Sequence, residues 1–158
     1  MVHPRLRHIA FVLIISGAVG VAAASASECH QVRGHLVETL VTVGCNSPVN
    51  ICTVAQLFGA IRGTAHFTAS AVVPSATTAV LFVTGKTVID DAQVAGQRGT
   101  LTVEDAAAFN GDDLVDIQTI TGGTGNLAGA TGSLRVSGTF LVDTGSGSST
   151  YEGVVCLP

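Results

Sequence analysis

The chain has 158 residues, of which 47% are apolar and only 11% charged, with 19 glycines and no tryptophan. Its formal net charge is −4. So acidic a chain repels phosphate backbones and anionic lipid surfaces, which sets nucleic acid aside as a partner.

The first residues read as an export signal. Arg5, Arg7 and His8 precede an apolar run from Ile9 to Ala24, and Ala24-Ser25-Ala26 supplies a small-residue cleavage pattern. The run is short of the roughly 20 residues that a spanning helix needs, so cleavage after Ala26 is expected rather than a retained anchor or a stable membrane span. Lipid attachment at Cys29 is disfavoured because Glu28 stands where a small residue would be wanted. The signal, 1–26, holds two of the seven basic residues and none of the eleven acidic ones, so the remaining 132 residues carry −6. That length suits one domain, 27–158, in a secreted protein.

All four cysteines lie in the mature part. An even count in an exported chain points to two disulfides, and three pairings are open. The favoured one closes "CNSPVNIC" through Cys45–Cys52 and ties the mature ends through Cys29–Cys156. The spacing of Cys45 and Cys52 fits neither a zinc ribbon nor a redox motif.

The dominant period is two. In "HLVETLVTVG" Leu36, Glu38 and Leu40 alternate with Val37, Thr39 and Val41. "VAQLFG" and "AIRGTAHFTASAVV" follow, the latter setting Ile61, Ala65, Phe67, Ala69 and Ala71 against Arg62, Thr64, His66, Thr68 and Ser70. Further strands are expected in "TAVLFVTGKTVI", "GTLTVEDA", "LVDIQTIT", "GSLRVSGTFLV" and "TYEGVVC", about eight in all. "VEDAAAFN" carries the one hint of helix, a single turn that could equally extend a strand. Short strands without crossover helices imply an all-β antiparallel sheet, stacked as a sandwich or closed as a barrel. About eight strands suit a barrel, which has no exposed edges and has room for one small ligand or a packed core.

Gly123 to Ala128 matches G-x-G-x-x-A after a predicted strand. The dinucleotide motif also needs a helix to receive the pyrophosphate, and here strand-like "GSLRVSGTFLV" follows. No Gly-Lys-Ser/Thr is present, so a phosphate loop fails as well. Gly122, Gly123, Gly125, Gly129 and Gly132 are therefore read as structural, allowing the sheet to bend at a corner.

The segment "TITGGTGNLAGATGSLRVSGTF" resembles the I-x-G-G-T-G-x-x-x-G-A-x-G stretch of the allene oxide cyclase-like and dirigent-like β-barrels, in particular small exported bacterial members. "CNSPVNIC" and the closing "YEGVVC" strengthen the likeness, which is specific around Gly122 to Gly132 and loose from Gly34 to Cys156. The resemblance implies an eight-stranded antiparallel barrel, often oligomeric in the plant relatives, so a homo-oligomer is left open. It implies no particular reaction, because the polar residues that the plant enzymes use deep in the barrel have no residue-by-residue match here.

Candidate chemistry rests on four side chains. Arg62 and His66 share a strand face and could orient or protonate a ligand if that face points inward; pointing outward, the commoner outcome, they are surface groups. Glu38 and Asp116 interrupt otherwise apolar faces, Leu36/Leu40 and Leu114/Ile120, and an inward carboxylate with a raised pKa would be an acid or base. Otherwise each is paired with Arg62 or Arg135 or lies near a strand end. His30, His35 and Glu38 converge poorly for a metal, since residues three apart on a strand point to opposite faces. No cofactor is expected, no G-x-S-x-G elbow is present, and paired cysteines leave no thiol nucleophile.

The function expected is therefore capture of a small apolar molecule or an extracellular interaction. A cofactor-free cyclase or isomerase acting inside the barrel is the alternative, and a structural surface protein with a filled barrel a third. The mature protein should start at Ser27: intact-mass analysis of culture supernatant is expected to find that end, and a membrane-bound chain starting at Met1 would overturn it.

Overall fold

A computed structural model describes residues 27–158; the export signal expected at 1–26 lies outside the described residues. Eight strands follow one another: β1 (Glu28–Leu40), β2 (Cys52–Gly59), β3 (Ile61–Pro74), β4 (Val80–Val94), β5 (Gln97–Asn110), β6 (Asp113–Gly123), β7 (Thr131–Leu141) and β8 (Ser146–Leu157). Each pairs antiparallel with the next, and β8 returns to β1, so the sheet is a closed meander. No α-helix occurs among the described residues, and none of their helices is long and apolar enough to cross a membrane.

The turns explain the short connections. Val94 pairs with Gln97 around Ala95-Gly96, both at positive φ (49° and 80°), the twist that joins antiparallel strands with two residues. Register shifts in β3–β4, β4–β5 and β5–β6 are β-bulges, which bend strands so that a sheet can close. "VEDAAAFN" is strand throughout: its alanines have little strand preference, but pairing to β4 on one side and β6 on the other decides the matter. β1 begins at Glu28, earlier than the alternation from His35 suggests, because β8 pairs along its whole length.

Closure is made by that β1–β8 seam, which runs from Glu28↔Leu157 to Thr39↔Ser146. Cys29 and Cys156 are directly opposed in it and form a disulfide across 127 residues. By the chain-entropy argument a loop of that length is worth roughly 5 kcal/mol. The second disulfide, Cys45–Cys52, ties the β1–β2 loop to the start of β2. The same loop is held to β3 by a Ser47 hydroxyl that donates to the Ala69 carbonyl (2.7 Å) and by the Ala69 amide, which donates to Ile51 (3.0 Å).

The two ends of the barrel differ. At the β1 N-terminal end Ile61, Ile89, Leu101, Val103, Ile120 and Val155 are fully or almost fully buried and fill the interior. Tyr151 reaches from β8 beneath β1; its hydroxyl accepts from the Ile61 amide (2.8 Å) and lies 2.9 Å from the Ile61 carbonyl, to which it can donate. Gly34 makes that reach possible, because a Cβ there would collide with the Tyr151 ring and the Phe58 carbonyl.

The glycine segment closes the same end. Gly122 and Gly123 finish β6 beside the β5–β6 bulge, and Thr124 begins a loop with one 3-10 turn, Gly125–Leu127. Gly125 has φ +60°, a conformation that side-chain-bearing residues adopt at a cost, and the turn lowers Leu127 into the core with no exposure at all. Gly129 and Gly132 also have positive φ, and strand β7 follows rather than a helix. The loop thus bends the sheet and plugs it. Leu127→Ala should therefore cost about 2–5 kcal/mol by opening a void in the plug; urea denaturation showing less than about 1 kcal/mol would contradict this placement.

Candidate functional site

The other end of the barrel is open. Inward residues of the second half of β1, β5 and β7, of β3 from Ala65 to Val72, and of the first half of β2, β4 and β6 surround a cavity of about 380 Å³. Its walls are largely apolar, from Leu36, Val83, Phe109, Leu114, Val136 and Phe140. Leu40, Leu81 and Val142 line it and are also exposed, so the mouth meets solvent through an apolar rim. Asn50 and Ile51 of the disulfide-tied loop form part of that rim.

Three carboxylates face into this cavity: Glu38 from β1, Asp105 from β5 and Asp116 from β6. Strand alternation places them there. Leu36 and Leu40 flank Glu38, Val103 and Ala107 flank Asp105, and Leu114 lies two residues before Asp116, all on the inward side. No Lys, Arg or His lines the cavity.

Polar neighbours hold the acids in place. Asp116 Oδ1 accepts from the Ala106 amide (3.0 Å) and Oδ2 from Gln118 Nε2 (2.9 Å). The same Gln118 nitrogen donates to Asp105 Oδ1 (2.9 Å), which also accepts from the Thr87 hydroxyl (3.1 Å). Glu38 Oε2 accepts from the Thr53 hydroxyl (3.1 Å). Asp105 Oδ2 is buried and has no donor.

Burial and like charge push all three acids toward the neutral form. For Asp105 the largest cause is desolvation, followed by the charge of Asp116, and the carboxyl is pushed up to about 8. Asp116 is raised by burial while its bonds from Gln118 and Ala106 hold it back. Glu38 is raised by burial first, with Thr53 opposing and the Asp116 charge adding. Asp105 and Asp116 therefore influence each other's ionisation, and the neutral form is favoured most strongly at Asp105.

The other singled-out residues lie elsewhere. Arg62 and His66 are exposed on the outer face of β3, and His66 Nε2 lies 3.7 Å from Asp90 Oδ2 there. They do not reach the cavity, because Ile61, Ala65 and Phe67 take the inward positions. Neither Arg62 nor Arg135 pairs with a cavity carboxylate; Arg135 lines an outer groove with Arg33 and Glu152. His35 stacks on Phe58 and His30 lies near Glu28, both away from Glu38. Among the described residues no three His, Cys, Asp or Glu side chains converge as metal ligands.

Asp105 is absent from the four residues that sequence alone suggests. Its signal was present in the alternation Leu101, Val103, Asp105, Ala107, but Glu104 beside it is equally acidic. The helix hint over the same segment hid which of the two points inward.

No protein-family model and no curated protein matches the chain. Among solved structures it is similar to the pterocarpan synthase dirigent protein GePTS1, with 14% identity, 87% of this chain and 89% of that chain covered, and a TM-score of 0.48.

The buried acid sets a pH dependence. The Asp105 carboxyl ionises near 3.8 when exposed and near 8 when folded, so its stabilising contribution is complete below pH 4 and is lost as pH rises toward 8. Asp105→Asn mimics the protonated form, and should raise the melting temperature at pH 8 by about 5 °C or more while changing it little at pH 4. An equal effect at both pH values in thermal melts would rule out the raised acid.

Proposed function

We propose that the protein captures a small apolar or amphipathic molecule in the open end of its barrel, outside the cell. One observation carries this reading: a cavity of about 380 Å³ with greasy walls, a solvent-facing mouth and a few polar groups on one side. That is the usual composition of a small-ligand site. The space also argues against a structural protein with a filled barrel. Both disulfides suit an oxidising, extracellular setting, as does the export signal read at 1–26. The likeness of Gly122 to Gly132 to allene oxide cyclase-like and dirigent-like barrels agrees with such a role.

A second reading has an observation of its own. A neutral Asp105 beside Asp116 is a proton donor and acceptor held within a largely apolar cavity, the equipment that a cofactor-free cyclase or isomerase needs. The two readings share the cavity and differ in turnover.

Ala107 lies on the cavity wall, so Ala107→Phe should fill the space. Titration with the apolar fluorophore N-phenylnaphthylamine is expected to show binding to the wild type and at least a tenfold loss in this variant. Arg62→Ala, on the outer face, should bind like the wild type. Equal binding by the wild type and a folded Ala107→Phe variant would place the ligand elsewhere.

A further inference from the structure

The cavity wall has an unbalanced chemistry that the capture reading does not explain. An apolar ligand needs no acid, yet Glu38, Asp105 and Asp116 all face the same space, and no basic side chain lines it. Buried carboxylates without a cation are costly, and leucine or valine at these positions would make a cheaper wall. Asp105 adds a separate sign of a missing partner: it is 95% buried, it lines the cavity, and its Oδ2 has no donor.

We propose that the ligand is a lipophilic amine, whose ammonium head sits against Asp105 and Asp116 while its hydrocarbon body lies along the apolar walls toward the mouth. The inference rests on the capture reading and specifies the class of ligand. An ammonium group carries several donors and one positive charge. It supplies the hydrogen bond that Asp105 Oδ2 lacks, and it offsets the repulsion between the two aspartates. A neutral alcohol could satisfy the hydrogen bond but would leave the charge uncompensated. A fatty acid would add another carboxylate to the three already there. The acids do not converge as a metal site, so a compact inorganic cation lacks a ligand set among the described residues.

The polar groups around the head are fixed. Gln118 bridges both aspartates, and Thr87 holds Asp105 from β4. The charged or titratable groups facing Asp105 on the inward side are Asp116 of β6 and Glu38 of β1; Lys86 and Glu104 are exposed on the outer faces of β4 and β5. An arriving ammonium displaces the proton on Asp105, so capture releases a proton and strengthens as pH rises from 6 toward 8.

The test compares decylamine, decanol and decanoate as competitors of N-phenylnaphthylamine on the disulfide-intact protein. At pH 8 decylamine should compete at least tenfold more strongly than decanol, and decanoate more weakly than either. Lowering the pH to 6 should shrink the amine's advantage. Asp105→Asn, which preserves the size of the side chain, should abolish that advantage and leave decanol binding within about twofold. If decanol matches decylamine, or if the amine's advantage survives in Asp105→Asn, the amine inference fails and the capture reading stands. If none of the three competes and the fluorophore itself does not bind, capture fails and the inference goes with it. Asp116→Asn provides an independent variant should Asp105→Asn not fold, and it too should remove the preference.

Discussion

Everything in this fold depends on the hydrogen-bonded seam between β1 and β8. Until those strands meet, the chain is an open meander whose two edge strands have unpaired amides and carbonyls. Once they meet, every strand has two neighbours and the inward face becomes an enclosed volume. The seam joins the first and last strands, the contact most distant in sequence and so the most costly entropically, and Cys29–Cys156 lies within it. The disulfide constrains the unfolded chain where closure is least favourable, so the barrel can stay shut without filling its interior completely.

That freedom is used at one end only. Leu127, Tyr151 and the large aliphatic residues near them fill the lower half to near-zero exposure. The upper half stays hollow and carries the acids. A small domain buries a limited apolar area, so a void in the middle of its core would be poorly tolerated. Dividing the barrel along its axis avoids that conflict: a dense lower half supports the strands, whose upper halves then present Glu38, Asp105 and Asp116 to one cavity. The Cys45–Cys52 loop adds a second anchor at the rim, far from the plug.

Much of this was legible in the residues. Period-two alternation located all eight strands and showed Leu36, Glu38 and Leu40 sharing a face, because alternate strand residues must point the same way. The cysteine pairing was favoured because Cys29 and Cys156 lie near the two ends of the expected domain, and the bond is formed, within the seam between first and last strands. Three things were not legible. Bulges shift the inward set by one residue, as after Ala69, where Val72 rather than Ala71 lines the cavity, and no residue type announces such a shift. Glu104 and Asp105 are adjacent acids in an alanine-rich run, and only pairing to β4 and β6 decides which one faces inward. The plugging role of Leu127 depends on where the barrel end lies, a distance relation between β5 and β6 that a linear pattern of glycines does not contain.

The acid pair then acquires a physical meaning. Asp105 and Asp116 are on neighbouring strands, held by a shared Gln118 and a β4 threonine, in a place where both resist ionisation. Their bonds to Gln118, Thr87 and Ala106 are partial compensation: they orient the carboxylates but bring no positive charge. A protein selected for stability alone would have little reason to keep such a pair, whereas one that uses a few kcal/mol of strain at a binding site would. The reserve that tolerates this strain is at the opposite end of the barrel, in the plug and the disulfide-held seam. Stability and site are separated in space, yet the same eight strands run through both.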